Sequence, residues 1–204
     1  MILVFDFDGT IADSKSLYVS TIQKSLSKHS FVYPKSRIIK ALGPKLEITL
    51  KNIHDFDEKT LSILKRDINS SITKKAKSLK LCPYAKKELG ELKKKYRIII
   101  LTNSAKKFIL AFLKHNKMTK YFDKLFCGEN FIDKEEALRE ITKKYKTKIS
   151  DVVYIADKIS DVKIAKKAGC RIIIVLACSW DKKRFRKEKY AVSSMKQLEA
   201  ALSK

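Results

Sequence analysis

Two carboxylates one residue apart, Asp6 and Asp8, close a short apolar run at the start of the chain, and Gly9-Thr10 turns the backbone directly after them. A buried strand that delivers two acids to its own tip needs something to pair with them, because carboxylates seldom lie beside a core unpartnered. A divalent cation is the simplest partner, and hard oxygen ligands favour Mg²⁺. Residues of related chemistry stand at the ends of other apolar runs. Thr102 and Asn103 follow one, Lys134 follows a shorter one, and Asp157 and Asp161 follow another. Such a set is equipped for phosphoryl transfer. One Asp can attack phosphorus and carry it as an aspartyl-phosphate. A second can protonate the leaving oxygen and then deprotonate water. A metal screens the acids from an incoming dianion. A lysine and a hydroxyl-bearing helix N-terminus can hold the remaining phosphoryl oxygens. Taken singly, Thr102–Ser104 also reads as an N-cap cluster, Lys134 as one lysine among many, and Asp157 and Asp161 as a cap and a surface acid. Their order, and the strand ends they share, carry the argument.

The elements that must position these residues follow one grammar of apolar strand, polar tip and amphipathic helix. Strands are predicted over 2–7, 97–101, 124–127, 151–156 and 171–175. Helices are predicted after Thr102 to about Lys114, from about Lys134, and from Asp157 to about Ala168, where Gly169 is a natural C-cap. Uninterrupted β-branched runs alternating with helices indicate a parallel sheet covered on both faces. The expected fold is therefore α/β, a Rossmann-like parallel sheet in a three-layer α/β/α core. Ligands in such sheets bind beyond the carboxyl ends of the strands, where every candidate residue falls. Residues 15–81 break the rhythm and read as helices, with apolar positions at Leu17, Ile22, Leu26, Leu61, Leu64, Ile68 and Ile72. They are expected to form a small all-helical cap inserted after the first strand. The core is then 1–14 and 82–204, with hinges near 12–14 and 80–83.

Composition bounds the rest. At 204 residues and 45% hydrophobic, the chain can bury a real core, and 5 Gly with 3 Pro leave little room for low-complexity linkers. No apolar run reaches membrane-spanning length, and the apolar start meets Asp6 too soon for a signal peptide, so a cytoplasmic protein is expected. Four scattered cysteines make no Cys-x-x-Cys pair and read as reduced thiols. The 46 Lys and Arg against 22 Asp and Glu, a formal +24, would attract polyanions. The lysines are nonetheless spread along the chain as solvated helix faces would be, and Arg37, Lys45 and Lys51 of the insertion read the same way.

The motifs closely resemble those of the haloacid dehalogenase-like hydrolase superfamily. Asp6-Phe7-Asp8-Gly9-Thr10 resembles its first motif and Leu101-Thr102-Asn103-Ser104 its second. Lys134 resembles the lysine of the third, and Tyr154 through Asp161 the fourth. The helical insertion, with Ala41-Leu42-Gly43-Pro44, is similar to the cap of the phosphoglycolate phosphatase and β-phosphoglucomutase-like branch. The resemblance implies that Asp6 is the nucleophile and a Mg²⁺ ligand. Asp8 would be the acid/base, its backbone carbonyl touching the metal. Thr102 and the Asn103 amide would bind the phosphoryl group, with Lys134 neutralising it and orienting Asp6. Asp157 would complete the protein ligands of the metal, and Asp161 would support it. Two positions depart from the pattern: Ala156 stands where Gly or Glu is common, and Lys158 where a small residue is usual. The expected activity is Mg²⁺-dependent hydrolysis of a small phosphorylated metabolite. The rival readings are a phosphomutase acting on a sugar phosphate, a nucleic-acid-binding or end-processing protein that uses the positive charge, and a degenerate, non-catalytic interaction protein.

Overall fold

The structure, a computed structural model, describes residues 1–185 and 188–203. Its strands are β1 (Ile2–Phe5), β2 (Arg97–Leu101), β3 (Lys124–Phe126), β4 (Val152–Ala156), β5 (Arg171–Val175) and β6 (Ala191–Val192). All pair in parallel, in the order β3-β2-β1-β4-β5-β6. The helices are α1 (Lys15–Lys28), α2 (Lys35–Ala41), α3 (Leu46–Ile53), α4 (Glu58–Lys75), α5 (Ala85–Lys93), α6 (Lys106–His115), α7 (Lys134–Lys144), α8 (Ile159–Ala168) and α9 (Leu198–Leu202).

Period-two alternation sends the strand side chains to two separate apolar layers. Leu3, Phe5, Ile98, Ile100, Val153 and Ile155 pack under α5, α6 and α9. Ile2, Val4, Ile99, Leu101, Tyr154 and Ala156 pack under α7 and α8. The central strands are buried on both faces, which is why they read as unbroken apolar runs. Each fully buried Phe, Leu or Ile contributes roughly 1.5–3 kcal/mol relative to exposure. The expected α/β architecture, with parallel sheet and helices on both sides, is the one observed.

α1–α4 form the helical insertion. α1 packs on α2 and α4, and α4 in turn packs on α6. Ile22, Leu50, Leu64 and Ile68 are fully buried, in one apolar cluster with Phe108 and Phe112 of α6. The two connections to the insertion pair with each other: Asp13 N–H donates to the Lys80 carbonyl (3.0 Å), and Cys82 N–H to that of Ile11 (2.9 Å). Among the described residues no helix is long and apolar enough to cross a membrane.

Some boundaries differ from the sequence reading. β1 ends at Phe5, because the Phe7 carbonyl accepts the N–H groups of Thr10, Ile11 and Ala12 and folds the tip into a turn. α6 begins at Lys106 with Ala105 as its N-cap. Thr102–Ser104 therefore lie in the loop before the helix and do not cap it. The first amide of α6, Lys106 N–H, donates to the Glu129 carboxylate (3.0 and 3.2 Å) and so is not free for a phosphoryl oxygen. β6 and α9 carry no strong local signal; the two residues of β6 are a strand because β5 offers an edge. Gly169 ends α8 at φ +84°, the left-handed conformation expected of it.

Candidate active site

The strand order reverses at β1, which lies between β2 and β4, and a crevice opens there beyond the strand ends. The tip of β1 is fastened to β4 by Asp6 N–H donating to the Ile155 carbonyl (2.8 Å). Gly9 sits in the turn that follows, at φ +83°. A Cβ on Gly9 would lie 2.3 Å from Asp157 Oδ2. Glycine here serves both the backbone conformation and the approach of the β4 acid to the β1 tip.

Lys134, the first residue of α7, reaches into this crevice and is only 6% exposed. Its ammonium donates to Asp6 Oδ1 (3.0 Å), to Asp161 Oδ1 (3.1 Å) and to the Tyr154 hydroxyl (2.7 Å). The Tyr154 hydroxyl in turn donates to Asp161 Oδ1 (2.9 Å). Burial works against the Lys134 charge, but Asp161 and Asp6 outweigh it and hold the ammonium protonated well above its ordinary range. Burial pushes the Asp6 carboxyl up to about 6; Lys134 and Lys158 oppose this, and Asp161 and Asp8 reinforce it.

Asp157 follows β4 and is fully buried. Trp180 N–H donates to its Oδ2 (3.1 Å), and the Ser179 hydroxyl donates to its backbone carbonyl (2.5 Å). Burial raises its carboxyl well above the usual range despite the Lys158 ammonium. Asp157 Oδ1 and Asp161 Oδ2 are buried with no hydrogen-bond partner. Carboxylate oxygens of Asp6, Asp157 and Asp161 lie within 4.8 Å of one another. Opposed oxygens around Mg²⁺ stand about 4.2 Å apart, twice the usual bond length. An all-oxygen donor set of nearly that span, with two oxygens lacking partners, fits a hard divalent cation. Charge agrees: one ammonium, Lys134, pairs with both Asp6 and Asp161, and a dication would supply further positive charge to the cluster.

Asp8 belongs to a neighbouring group. Its Oδ1 accepts from the Ser14 hydroxyl (2.6 Å), and its Oδ2 from those of Ser104 (2.5 Å) and, more weakly, Thr102 (3.4 Å). The Ser104 hydroxyl also shares a hydrogen bond with Tyr18 of α1 (2.5 Å). Asp8, Asn103, Ser104 and Lys158 line a cavity roofed by the insertion, which contributes Tyr18, Leu42, Pro44, Leu46, Thr49 and Asn69. Asn103 Nδ2 donates to the Gly43 carbonyl (3.0 Å), and the Lys45 ammonium to that of Phe131, holding insertion and core together here.

All seven residues singled out in the sequence thus reach one sheet edge, in two groups. Asp6, Lys134, Asp157 and Asp161 share one network; Asp8 and Thr102 share another; Asn103 lies on the cavity wall. The other basic residues named in the insertion are engaged elsewhere: Lys51 pairs with Glu47 (3.2 Å) and Arg37 lies over the Tyr33 ring (4.8 Å). Among the described residues, those that the insertion contributes to the cavity lining are uncharged. Sequence reasoning passed over Ser14, Tyr18, Ser104, Tyr154, Ser179 and Trp180 as site residues. Two of them carried a usable signal: Ser104 stands in one motif with Thr102 and Asn103, and the Tyr154 hydroxyl, inside a buried strand, must find a partner.

Over residues 3–175 the chain matches the family described as haloacid dehalogenase-like hydrolase. It is 31% identical over 94 residues to a phosphoglycolate phosphatase of Vibrio parahaemolyticus. That match covers 44% of this chain and 41% of the relative, so it spans less than half of either. Among solved structures, CbbY from Rhodobacter sphaeroides in complex with phosphate superposes with a TM-score of 0.84 at 17% identity, covering 100% of both chains. A predicted phosphoglycolate phosphatase from Haemophilus somnus superposes with a TM-score of 0.85 at 15% identity, covering 100% of this chain and 97% of that one. At such identities the superpositions speak for the fold.

Proposed function

The chain belongs to the haloacid dehalogenase-like hydrolase family, and on that footing we propose that it is a Mg²⁺-dependent phosphatase acting on a small phosphomonoester in the cytoplasm. The observation that carries this reading is the meeting of Asp6, Lys134, Asp157 and Asp161 at the β1–β4 switch point. Asp6 and Lys134 are 128 positions apart in the sequence yet joined by a 3.0 Å hydrogen bond. A lone nucleophilic carboxylate needs no such company; one that must meet a phosphoryl dianion does.

In this reading Asp6, Asp157 and the backbone carbonyl of Asp8 would hold Mg²⁺, with Asp161 in support, and the ion would supply positive charge against the phosphoryl oxygens. An Asp6 carboxylate oxygen attacks phosphorus, the bond to the ester oxygen breaks, and Asp8 gives that oxygen its proton as the alcohol leaves. Asp8 then takes a proton from water, the resulting hydroxide attacks the aspartyl-phosphate at phosphorus, and Asp6 is released with inorganic phosphate. Thr102 and the Asn103 amide hold phosphoryl oxygens. Lys134 keeps one Asp6 oxygen fixed and neutralises charge as it builds. Residues 15–81 are the cap, which excludes water and receives the leaving group, while 1–14 and 82–204 are the catalytic core. Four free cysteines accord with a reducing compartment.

The experiment is hydrolysis of p-nitrophenyl phosphate with and without Mg²⁺, measuring phosphate release, on the wild type and on Asp6→Asn. Mg²⁺-dependent release by the wild type and its loss in Asp6→Asn are expected. Release by Asp6→Asn near the wild-type rate overturns the nucleophile. Passage of the group to an added sugar without free phosphate would mean the mutase reaction.

A further inference from the structure

Lys158 follows directly on Asp157, among three carboxylates, yet its ammonium lies over the face of Trp180, 4.1 Å from the ring centroid. Among the described residues it makes no ion pair with Asp6, Asp157 or Asp161, whereas Lys134 pairs with two of them. The platform it rests on is fixed. Trp180 N–H is bonded to Asp157 Oδ2, and Ser179 is bonded to the Asp157 carbonyl. A cation over an indole face gains roughly 0.5–2 kcal/mol, and this contact gives the Lys158 side chain a resting place away from the carboxylates. Lys158 lines the cavity shared by Asp8 and Asn103, and is the one Lys or Arg among the described residues lining it. It also borders the adjoining cleft, beside Lys134, Asp161, Lys163 and Arg184. Trp180 Nε1, on the same wall, is buried without a hydrogen-bond partner. In the mechanism above, the departing alcohol leaves on the Asp8 side and enters this cavity, to whose lining the insertion contributes, among the described residues, only uncharged side chains.

We propose that Lys158, held by Trp180, is a specificity-determining residue that binds a second anionic group on the leaving portion of the substrate. The inference rests on the phosphatase reading and narrows it. The preferred substrates are phosphomonoesters whose alcohol carries its own negative charge, a carboxylate or a second phosphoryl group. Selectivity then comes from the β4–α8 connection of the core as well as from the insertion. The role is one of binding: Lys158 meets the far end of the substrate, and Asp6, Asp8 and Lys134 meet the reacting phosphorus.

The test compares kcat/KM for three small esters: 2-phosphoglycolate, propane-1,3-diyl bisphosphate, and ethyl phosphate, whose alcohol carries no second charge. The wild type is expected to favour at least one anionic ester over ethyl phosphate, and the one it favours identifies the second group. Lys158→Met is expected to shrink that preference about tenfold or more, mainly through KM, the scale of a lost hydrogen bond between charged groups. Lys158→Arg should restore most of it. Trp180→Leu, which removes the platform and leaves Lys158 in place, should shrink it as well. The Mg²⁺ concentration at half-saturation is measured for every variant, so that a disturbed Asp157 shows itself separately. A wild type without preference, or a Lys158→Met preference equal to that of the wild type, overturns the inference and leaves the phosphatase reading standing. A wild type that hydrolyses none of the three esters, nor p-nitrophenyl phosphate, overturns both.

Discussion

Replacing Gly9 with alanine asks whether the position of Asp157 governs turnover. The new methyl carbon would start 2.3 Å from Asp157 Oδ2, and ordinary contact begins at 3.4 Å, so one group must yield by about 1.1 Å. Asp157 cannot swing aside freely, because its Oδ2 is tied to Trp180 N–H and its carbonyl to Ser179. The alanine must also hold φ near +83°, which costs an L-residue about 1–2 kcal/mol. For a chain of this length that corresponds to a melting temperature lower by roughly 2–8 °C. A displacement near 1 Å at a reacting centre costs about 100-fold in rate, equivalent to about 2.7 kcal/mol of barrier. Gly9→Ala should therefore remain folded by circular dichroism, lose about two decades of kcat on an aryl phosphate, and need more Mg²⁺ for half-maximal rate. A folded variant with wild-type kcat and wild-type Mg²⁺ half-saturation would refute the argument that the turn at Gly9 sets the acid from β4.

Three other predictions follow from the same contacts. Tyr154→Phe removes a fully buried hydroxyl bonded to both Lys134 and Asp161; it should cost about 1.5–3 kcal/mol in urea denaturation, and an unchanged midpoint would show that the hydroxyl holds neither. Ser104→Ala removes one of the hydroxyls that fix Asp8 and breaks its link to Tyr18, so kcat should fall about tenfold with Mg²⁺ half-saturation unchanged; a shift in Mg²⁺ requirement alone would contradict the assignment. Cys178 is half-buried, whereas Cys82, Cys127 and Cys170 are buried, and burial drives Cys127 up to about 12 and Cys170 up to about 11. Access and thiolate fraction both favour the more exposed thiol, so iodoacetamide at pH 8 should label half-buried Cys178 first; mass spectrometry reads the site, and uniform labelling of all four would refute the burial argument.

What the sequence determined by itself is the grammar of strand, polar tip and helix, and with it the identity of the acids at the tips. β2 and β5 lie where their β-branched runs stand, α8 stops where Gly169 allows φ +84°, and α7 begins at Lys134. These are local decisions, made by side-chain volume, backbone freedom and period within a few residues. The tertiary structure decided who meets whom. Nothing local in Trp180 directs its amide to Asp157, 23 positions away, or its ring to the ammonium of Lys158. The bond between Tyr18 and Ser104 spans 86 positions and exists only because the helical insertion folds back over the sheet edge. β6 is a strand of two residues because β5 presents an unpaired edge to it. Glu129 takes the first amide of α6, an amide that the loop sequence alone would have left for an anion. Such contacts depend on the packing of whole elements, whose relative placement the short-range preferences of the chain do not encode, and on that packing the division between Asp6 with Lys134 and Asp8 with its hydroxyls rests.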